Sequence, residues 1–278
     1  MSAIATLLTK LGQRARHAFG LPAQDATEEV WRLRHLRAAP ARVPGTVDWR
    51  GQPLHYADGA ALNGQLRDIF VARTYDFTTA HPAPRILDCG AHVGLGVIRW
   101  RELYPHADIS AFEADPAIAE YLRRNLAARD DEQTAVLPAA WIEDGVIGFN
   151  STGTDSGHIS NAAQQTVPAR DLAAFCRQPV DLLKMDIEGA EETVLAHLSA
   201  TGSLRQVRRF ICEWHQWTPD NPKLYEALAS LTAAGFIYRI SSADCLGTES
   251  SPAFPGLRWP GNHLVIHAWK PAAPGATS

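Results

Sequence analysis

The chain has 278 residues, 46% hydrophobic and 20% charged, with a formal net charge of −4. These are values of a globular protein, and the slight acidity argues against a partner held through phosphate charge, whether nucleic acid or an anionic membrane. The four cysteines (Cys89, Cys176, Cys212, Cys245) are scattered without a CxxC pair, which speaks against a disulfide framework or zinc site and for a reducing cytoplasm.

No apolar stretch reaches membrane-spanning length. The opening segment, MSAIATLLTKLGQRARHAFG, places its positive charges after its apolar patch. A signal peptide has the reverse order, so an amphipathic helix is expected. A second helical pattern runs from Thr27 to Ala38, with Val30, Trp31, Leu33 and Leu36, and stops at Pro40 and Pro44. TVDWRGQPLHYADG then alternates apolar and polar residues around Arg50-Gly51, the pattern of a hairpin. Ala60 to Tyr75 reads as a helix through Leu62, Leu66, Ile69 and Phe70. Residues 1–60 are therefore expected to form an extension of helices and hairpin, and residues 61–278 the main domain.

From Arg85 the rhythm becomes strand and helix in alternation, which predicts a parallel sheet covered on both faces. The strands are expected over Arg85 to Cys89, Ile109 to Glu113, Thr134 to Leu137, Val180 to Met185, Val207 to Glu213, Phe236 to Ile240 and His263 to Trp269. A helix follows the glycines Gly90, Gly94 and Gly96. Another opens at Asp115-Pro116, an N-cap followed by a first-turn proline. Further helices are expected over Asp171 to Cys176, Ala190 to Leu198 and Pro222 to Ala234, with a short extended piece from Val146 to Phe149. Residues 150–166 and 244–262, rich in small and polar residues, read as loops, and PAAPGATS as a tail.

In such a sheet, ligands bind at the carboxyl ends of the strands. The first strand ends in Asp88-Cys89 and runs into RILDCGAHVGLG, a glycine loop at a helix N-terminus. Its GxxxGxG spacing lacks the GxGxxG pyrophosphate fingerprint, which counts against an NAD-dependent oxidoreductase. Glu113 follows by roughly the 20 residues at which an acidic side chain meets ribose hydroxyls. Ala139, Ala140 and Trp141 could flank an adenine. The fourth strand ends LLKMDIEGAE, with Asp186, Glu188, Glu191 and Glu192 in quick succession. Buried charge is costly unless it is paired or used. The fifth ends CEWHQW, where Glu213 and His215 share a face if the strand continues that far. Histidine suits proton abstraction near neutral pH. The Asp186/Glu188 spacing also allows a divalent metal with Glu213 or His215, although no metal is assigned. His92 and His158 lie in polar loops, where a solvated histidine is the ordinary reading.

Four blocks in this order, ILDCGAHVGLGVIRW, ISAFEADP, VDLLKMDIEGAEETVL and FICEWH, resemble the FkbM-type S-adenosylmethionine-dependent methyltransferases. The resemblance covers about residues 68–215, and the DIEGAE block is its most specific part. It implies a class I methyltransferase, Rossmann-like seven-stranded sheet with an antiparallel last strand, making residues 61–278 the methyltransferase domain. It implies S-adenosylmethionine as methyl donor and O-methylation, often of sugars, glycans or natural products. The glycine loop would lie near the donor's amino-acid portion, with Glu113 on its ribose. His92 stands where family members often carry asparagine, so a changed cofactor contact is expected there.

The cofactor-binding candidates are Tyr75, Asp88, Gly90, His92, Gly94, Glu113, Ala140, Trp141 and Asp186. The catalytic candidates are His215 as base, Glu213 to orient it, and Asp186 and Glu188 to hold the acceptor or the donor's ammonium. The expected reaction is a base-assisted, in-line transfer to a hydroxyl of a carbohydrate or glycosylated natural product. Carboxyl O-methylation of a small metabolite, or a non-catalytic module that binds an adenosyl ligand, are the alternatives. The expected partner is a small-molecule or carbohydrate acceptor, with a homodimer possible through the N-terminal helices.

Overall fold

The computed structural model describes residues 40–152, 157–160, 162–163, 165–216, 223–242 and 262–271. The expected helices before residue 40, a dimer through them, and nearly all of the 244–262 loop and the tail lie outside the described residues.

The chain opens with the expected hairpin, β1 (Gly45–Trp49) and β2 (Gln52–Tyr56), paired antiparallel around Arg50-Gly51. Trp49 and Leu54 bury completely beneath it. Helix α1 (Gly59–Leu66) is capped by Asp58, whose carboxylate accepts from Ala60 N at 2.7 Å and Ala61 N at 3.0 Å. A wider π-helical turn, Arg67–Val71, follows directly. The helix expected from 60 to 75 is therefore shorter and changes pitch at its end.

Strand β3 (Arg85–Cys89) leads through the glycine loop into α2 (Leu95–Leu103), and β4 (Asp108–Phe112) into α3 (Pro116–Ala127). Asp115 caps α3 by accepting from Ala117 N at 2.9 Å. After β5 (Ala135–Leu137), Pro138 passes the chain into β6 (Ala139–Trp141), β7 (Gly145–Asn150), β8 (His158–Ile159) and β9 (Gln165–Asp171). These four form a separate sheet in the order β6-β9-β7-β8 around Ala139, Phe149, Val167 and Ala169. Part of the stretch expected to be loop is thus paired strand. In β9 only Val167 and Ala169 are buried, so its apolar signal is thin.

The chain then returns through α4 (Leu172–Phe175), β10 (Leu182–Met185), α5 (Glu191–Ala200), β11 (Arg209–Gln216), α6 (Leu224–Ala233), β12 (Ile237–Ser242) and β13 (Asn262–Trp269). The main sheet runs β12-β13-β11-β10-β3-β4-β5. β13 is antiparallel to both its neighbours, and the β11-β10-β3-β4-β5 pairings are parallel.

Alternation along the central strands feeds two cores. Ile86 and Leu182 face the layer of α1, α2 and α3. Leu87 and Leu183 face the layer of α5 and α6. The hairpin belongs to the first of these cores and is tied to α3 by Asn125. That side chain accepts from His55 N at 2.7 Å and donates to His55 O and Val93 O at 2.9 and 2.8 Å. Among the described residues, no helix is long and apolar enough to cross a membrane.

Candidate active site

A cavity of about 400 Å3 opens at the carboxyl ends of β3, β4, β10 and β11, between α1 and the small sheet. Its construction begins at the tight turn after β3. Gly90 has φ +80°, and a Cβ there would stand 1.7 Å from the carbonyl oxygen of Asp186. Only glycine permits the ends of β3 and β10 to approach so closely. His92 follows with φ 50°. Its backbone N–H donates to Glu113 Oε2 at 2.8 Å, and Asp115 N donates to Glu113 Oε1 at 2.9 Å. Each carboxylate oxygen keeps a second lone pair. Burial pushes Glu113 up to about 7, against the lowering effect of those two amides. The His92 ring meets Gln65 Oε1 at 3.0 Å, and burial drives its pKa down to about 4, so it is neutral at ordinary pH.

One wall is apolar and comes from Phe112, Ala139, Ala140, Phe149 and Ile159. The other end is acidic. Asp186 and Glu188, on the turn after β10, line it together with Glu213 from β11 and Tyr75. The Tyr75 hydroxyl donates to Glu213 Oε1, and burial followed by the Glu213 charge pushes the phenol well above its usual range. Burial, then the nearby Asp186, raises Glu213 to about 7.

Lys184 lies beneath this end. Its register on β10 sets it opposite Asp88 of β3. Its Nζ donates to Gly90 O at 2.6 Å and lies 3.4 Å from both Asp88 and Asp186. Burial works against its charge, but the two aspartates outweigh burial and raise its pKa. Asp88 is itself raised by burial despite the lysine.

Glu213 and His215 do share a strand face, but they have different partners. His215 is almost fully buried and its Nδ1 meets Glu191 Oε1 at 3.1 Å. Glu191, also buried, accepts from Ile187 N and Gly189 N, each at 2.9 Å. The expectation that Glu213 orients His215 is therefore corrected, since Glu191 holds that position. The His215 Nε2 points toward Glu188 Oε1 at 3.6 Å and Asp186 Oδ1 at 3.9 Å. Burial disfavours its charge, yet Glu191 and the two further carboxylates raise its pKa to about 9.

Of the residues singled out from sequence, Tyr75, Gly90, His92, Glu113, Ala140, Asp186, Glu188 and Glu213 line the cavity. Asp88, Gly94, Trp141 and His215 do not. Asp88 pairs with Lys184, Gly94 sits at the start of α2 against Leu122, and Trp141 packs among core side chains. Sequence reasoning missed Gln65 and Asp115 as cavity-lining residues and Lys184 buried behind them, and it grouped Glu191 with the neighbouring carboxylates without giving it the His215 partnership. Of the three missed residues, only the lysine inside the apolar LLKM run signalled an unusual burial.

The strand order, the antiparallel β13 and a cavity at the carboxyl ends define a class I methyltransferase fold. A family model described as the methyltransferase FkbM domain matches residues 88–238. The chain belongs to this methyltransferase family. It is 39% identical over 172 residues to methyltransferase sdnD of Sordaria araneosa, covering 46% of this chain and 66% of the relative. The match therefore spans just under two thirds of that relative's own length. It is 28% identical over 177 residues to 2-O-methyltransferase NoeI of Sinorhizobium fredii, covering 55% of this chain and 70% of the relative. The crystal structure of methyltransferase FkbM from Methylobacillus flagellatus aligns with a TM-score of 0.47 at 13% identity, over 87% of this chain and 60% of that one. The methyl donor of the family is S-adenosylmethionine.

Proposed function

We propose that the protein transfers a methyl group from S-adenosylmethionine to a hydroxyl oxygen of a carbohydrate or glycosylated natural product. One observation carries this reading. A single cavity joins an apolar wall and a ribose-type carboxylate, Glu113, to a carboxylate-rich end at Asp186, Glu188 and Glu213. The name of the relative in Sinorhizobium fredii, a 2-O-methyltransferase, supports oxygen as the accepting atom.

The residues present fit an adenosyl donor. Glu113 has lone pairs left for hydroxyl donors, the Phe149 and Ala140 wall suits an adenine, and the excess of carboxylates suits a cationic sulfonium ligand. When bound, the donor supplies an activated methyl group whose C–S bond pair returns to sulfur as the new O–C bond forms. The work of the chain is to hold the acceptor in line and exclude water, which contributes up to ~7–11 kcal/mol in well-oriented reactions. It also removes the hydroxyl proton, worth ~10²–10⁴-fold.

Glu213 is the proton acceptor in this proposal, because it lines the cavity whereas His215 lies behind it. Tyr75 holds one Glu213 oxygen, leaving the other for the acceptor's proton. Asp186 and Glu188 orient the acceptor.

Calorimetric titration with S-adenosylhomocysteine tests the donor half, and an absence of binding refutes the proposal. Methyl transfer to a panel of sugar acceptors tests the other half. Donor affinity with no transfer to hydroxyl or carboxyl acceptors favours a binding module instead.

A further inference from the structure

We propose that Asp186, Glu188 and His215 bind one divalent cation of the Mg2+ or Mn2+ class at the acceptor end of the cavity. The cation's chemical role rests on the methyl-transfer reading; its binding does not.

One ligand-type atom from each of the three side chains lies within 4.8 Å of the others. The His215 Nε2 is 3.6 Å from Glu188 Oε1 and 3.9 Å from Asp186 Oδ1. Ligands ~2.1 Å from one octahedral ion stand ~3.0 Å apart when adjacent and ~4.2 Å when opposite. Small side-chain rotations therefore close this set around an ion.

The histidine is held as metal-binding histidines are held. Its second nitrogen faces a carboxylate, Glu191, which is itself fixed by two backbone amides. Such a partner sets the ring orientation and strengthens the ligating nitrogen. Cation uptake displaces any proton on Nε2.

Charge gives an independent reason. Asp88, Asp186, Glu188, Glu191 and Glu213 crowd one end of the cavity. Among the described residues, the cationic groups that meet these five carboxylates are Lys184, against Asp88, Asp186 and the Gly90 carbonyl, and His215 when protonated, against Glu188 and Glu191. Buried like charge of this density is costly unless it is compensated. Two carboxylate oxygens and one imidazole nitrogen, without a thiolate, suit a hard to borderline ion. Asp186 and Glu188 line the cavity, so the remaining coordination positions face the acceptor. There the ion would hold the acceptor hydroxyl and make its proton easier to remove. That proton passes to Glu213, the oxygen's electron pair forms the bond to the methyl carbon, and the C–S pair stays on sulfur.

The test is Mn2+ titration of the full chain, with free Mn2+ read by electron paramagnetic resonance. Wild type should take up one ion per chain. Glu188→Gln and His215→Ala should each weaken uptake by at least about tenfold, and Glu120→Gln, exposed on α3, should leave it unchanged. No saturable uptake, or wild-type affinity in Glu188→Gln, overturns the proposal. Circular dichroism reports folding, and Asp186→Asn replaces His215→Ala if that variant does not fold. S-Adenosylhomocysteine titration on the same samples separates the two readings. Cation uptake without donor binding keeps this site and removes the methyl-transfer reading, while donor binding without cation uptake does the reverse.

Discussion

Glu113 offers the sharpest quantitative test of the donor site. Its two oxygens already accept from His92 N and Asp115 N, and ribose hydroxyls must add to the remaining lone pairs. Only the ionised carboxylate is a strong acceptor on both oxygens. With a pKa of about 7, roughly nine-tenths of the groups are ionised at pH 8 and roughly one-tenth at pH 6. S-Adenosylhomocysteine affinity should therefore fall by about tenfold between pH 8 and pH 6. The stability of the free protein has the opposite sign. Because this carboxyl is raised above its ordinary 4.5, its contribution is fully present below about pH 4.5 and is lost as pH rises through about 7.

Glu113→Gln removes charge-assisted hydrogen bonds worth ~1.5–3 kcal/mol, a roughly 10- to 150-fold loss of affinity. Its NH2 must also oppose one of the two backbone N–H groups, costing a further ~1–3 kcal/mol of stability. Isothermal titration of wild type and variant from pH 6 to pH 8 decides the matter. Affinity independent of pH in the wild type, or wild-type affinity in Glu113→Gln, would refute the ribose assignment.

The other expectations concern the frame around the cavity. Gly90→Ala sets a methyl against the Asp186 carbonyl at positive φ and should lower Tm by roughly 10 °C. Gly51→Ala, also at positive φ but in open space, should cost only ~1 kcal/mol of strain, and equal losses in scanning calorimetry would contradict the close-approach argument. Lys184→Met leaves Asp88 buried without its cation and should cost ~3–5 kcal/mol in urea unfolding, with part of the loss recovered when Asp88→Asn is added. Absence of that recovery would show that the pair is not coupled. Glu213→Gln should lower transfer by ~10²–10⁴-fold with little change in donor affinity, and unimpaired turnover would remove Glu213 as proton acceptor.

The central architecture was legible because buried parallel strands and helix caps are local. Arg85–Cys89 runs into its glycines, Asp115-Pro116 opens α3, and Leu182–Met185 is apolar except for Lys184. The small sheet was not legible. Ala139–Trp141 is too short to show alternation, and in Gln165–Asp171 the exposed positions are Gln165, Thr166, Pro168 and Arg170, so the pattern resembles a loop. At the site, the Glu213/His215 spacing correctly gave a shared face. It could not supply their partners, since Tyr75 lies 138 positions from Glu213 and Glu191 lies 24 from His215. Lys184 could be seen as a charge in an apolar strand, but only the β3–β10 register sets it against Asp88.

The separate sheet has a thermodynamic consequence. It supplies Ala139, Ala140, Phe149 and Ile159 to the cavity wall, yet among the described residues its own buried cluster is the small one of Ala139, Phe149, Val167 and Ala169. So little buried area gives this layer a low free energy of local opening compared with the main sheet. A ligand seated against Phe149 adds contacts where they are scarcest. Amide hydrogen exchange in β7 and β9 should therefore slow on ligand binding far more than exchange in β3, so that the cavity wall reports occupancy through its own opening equilibrium.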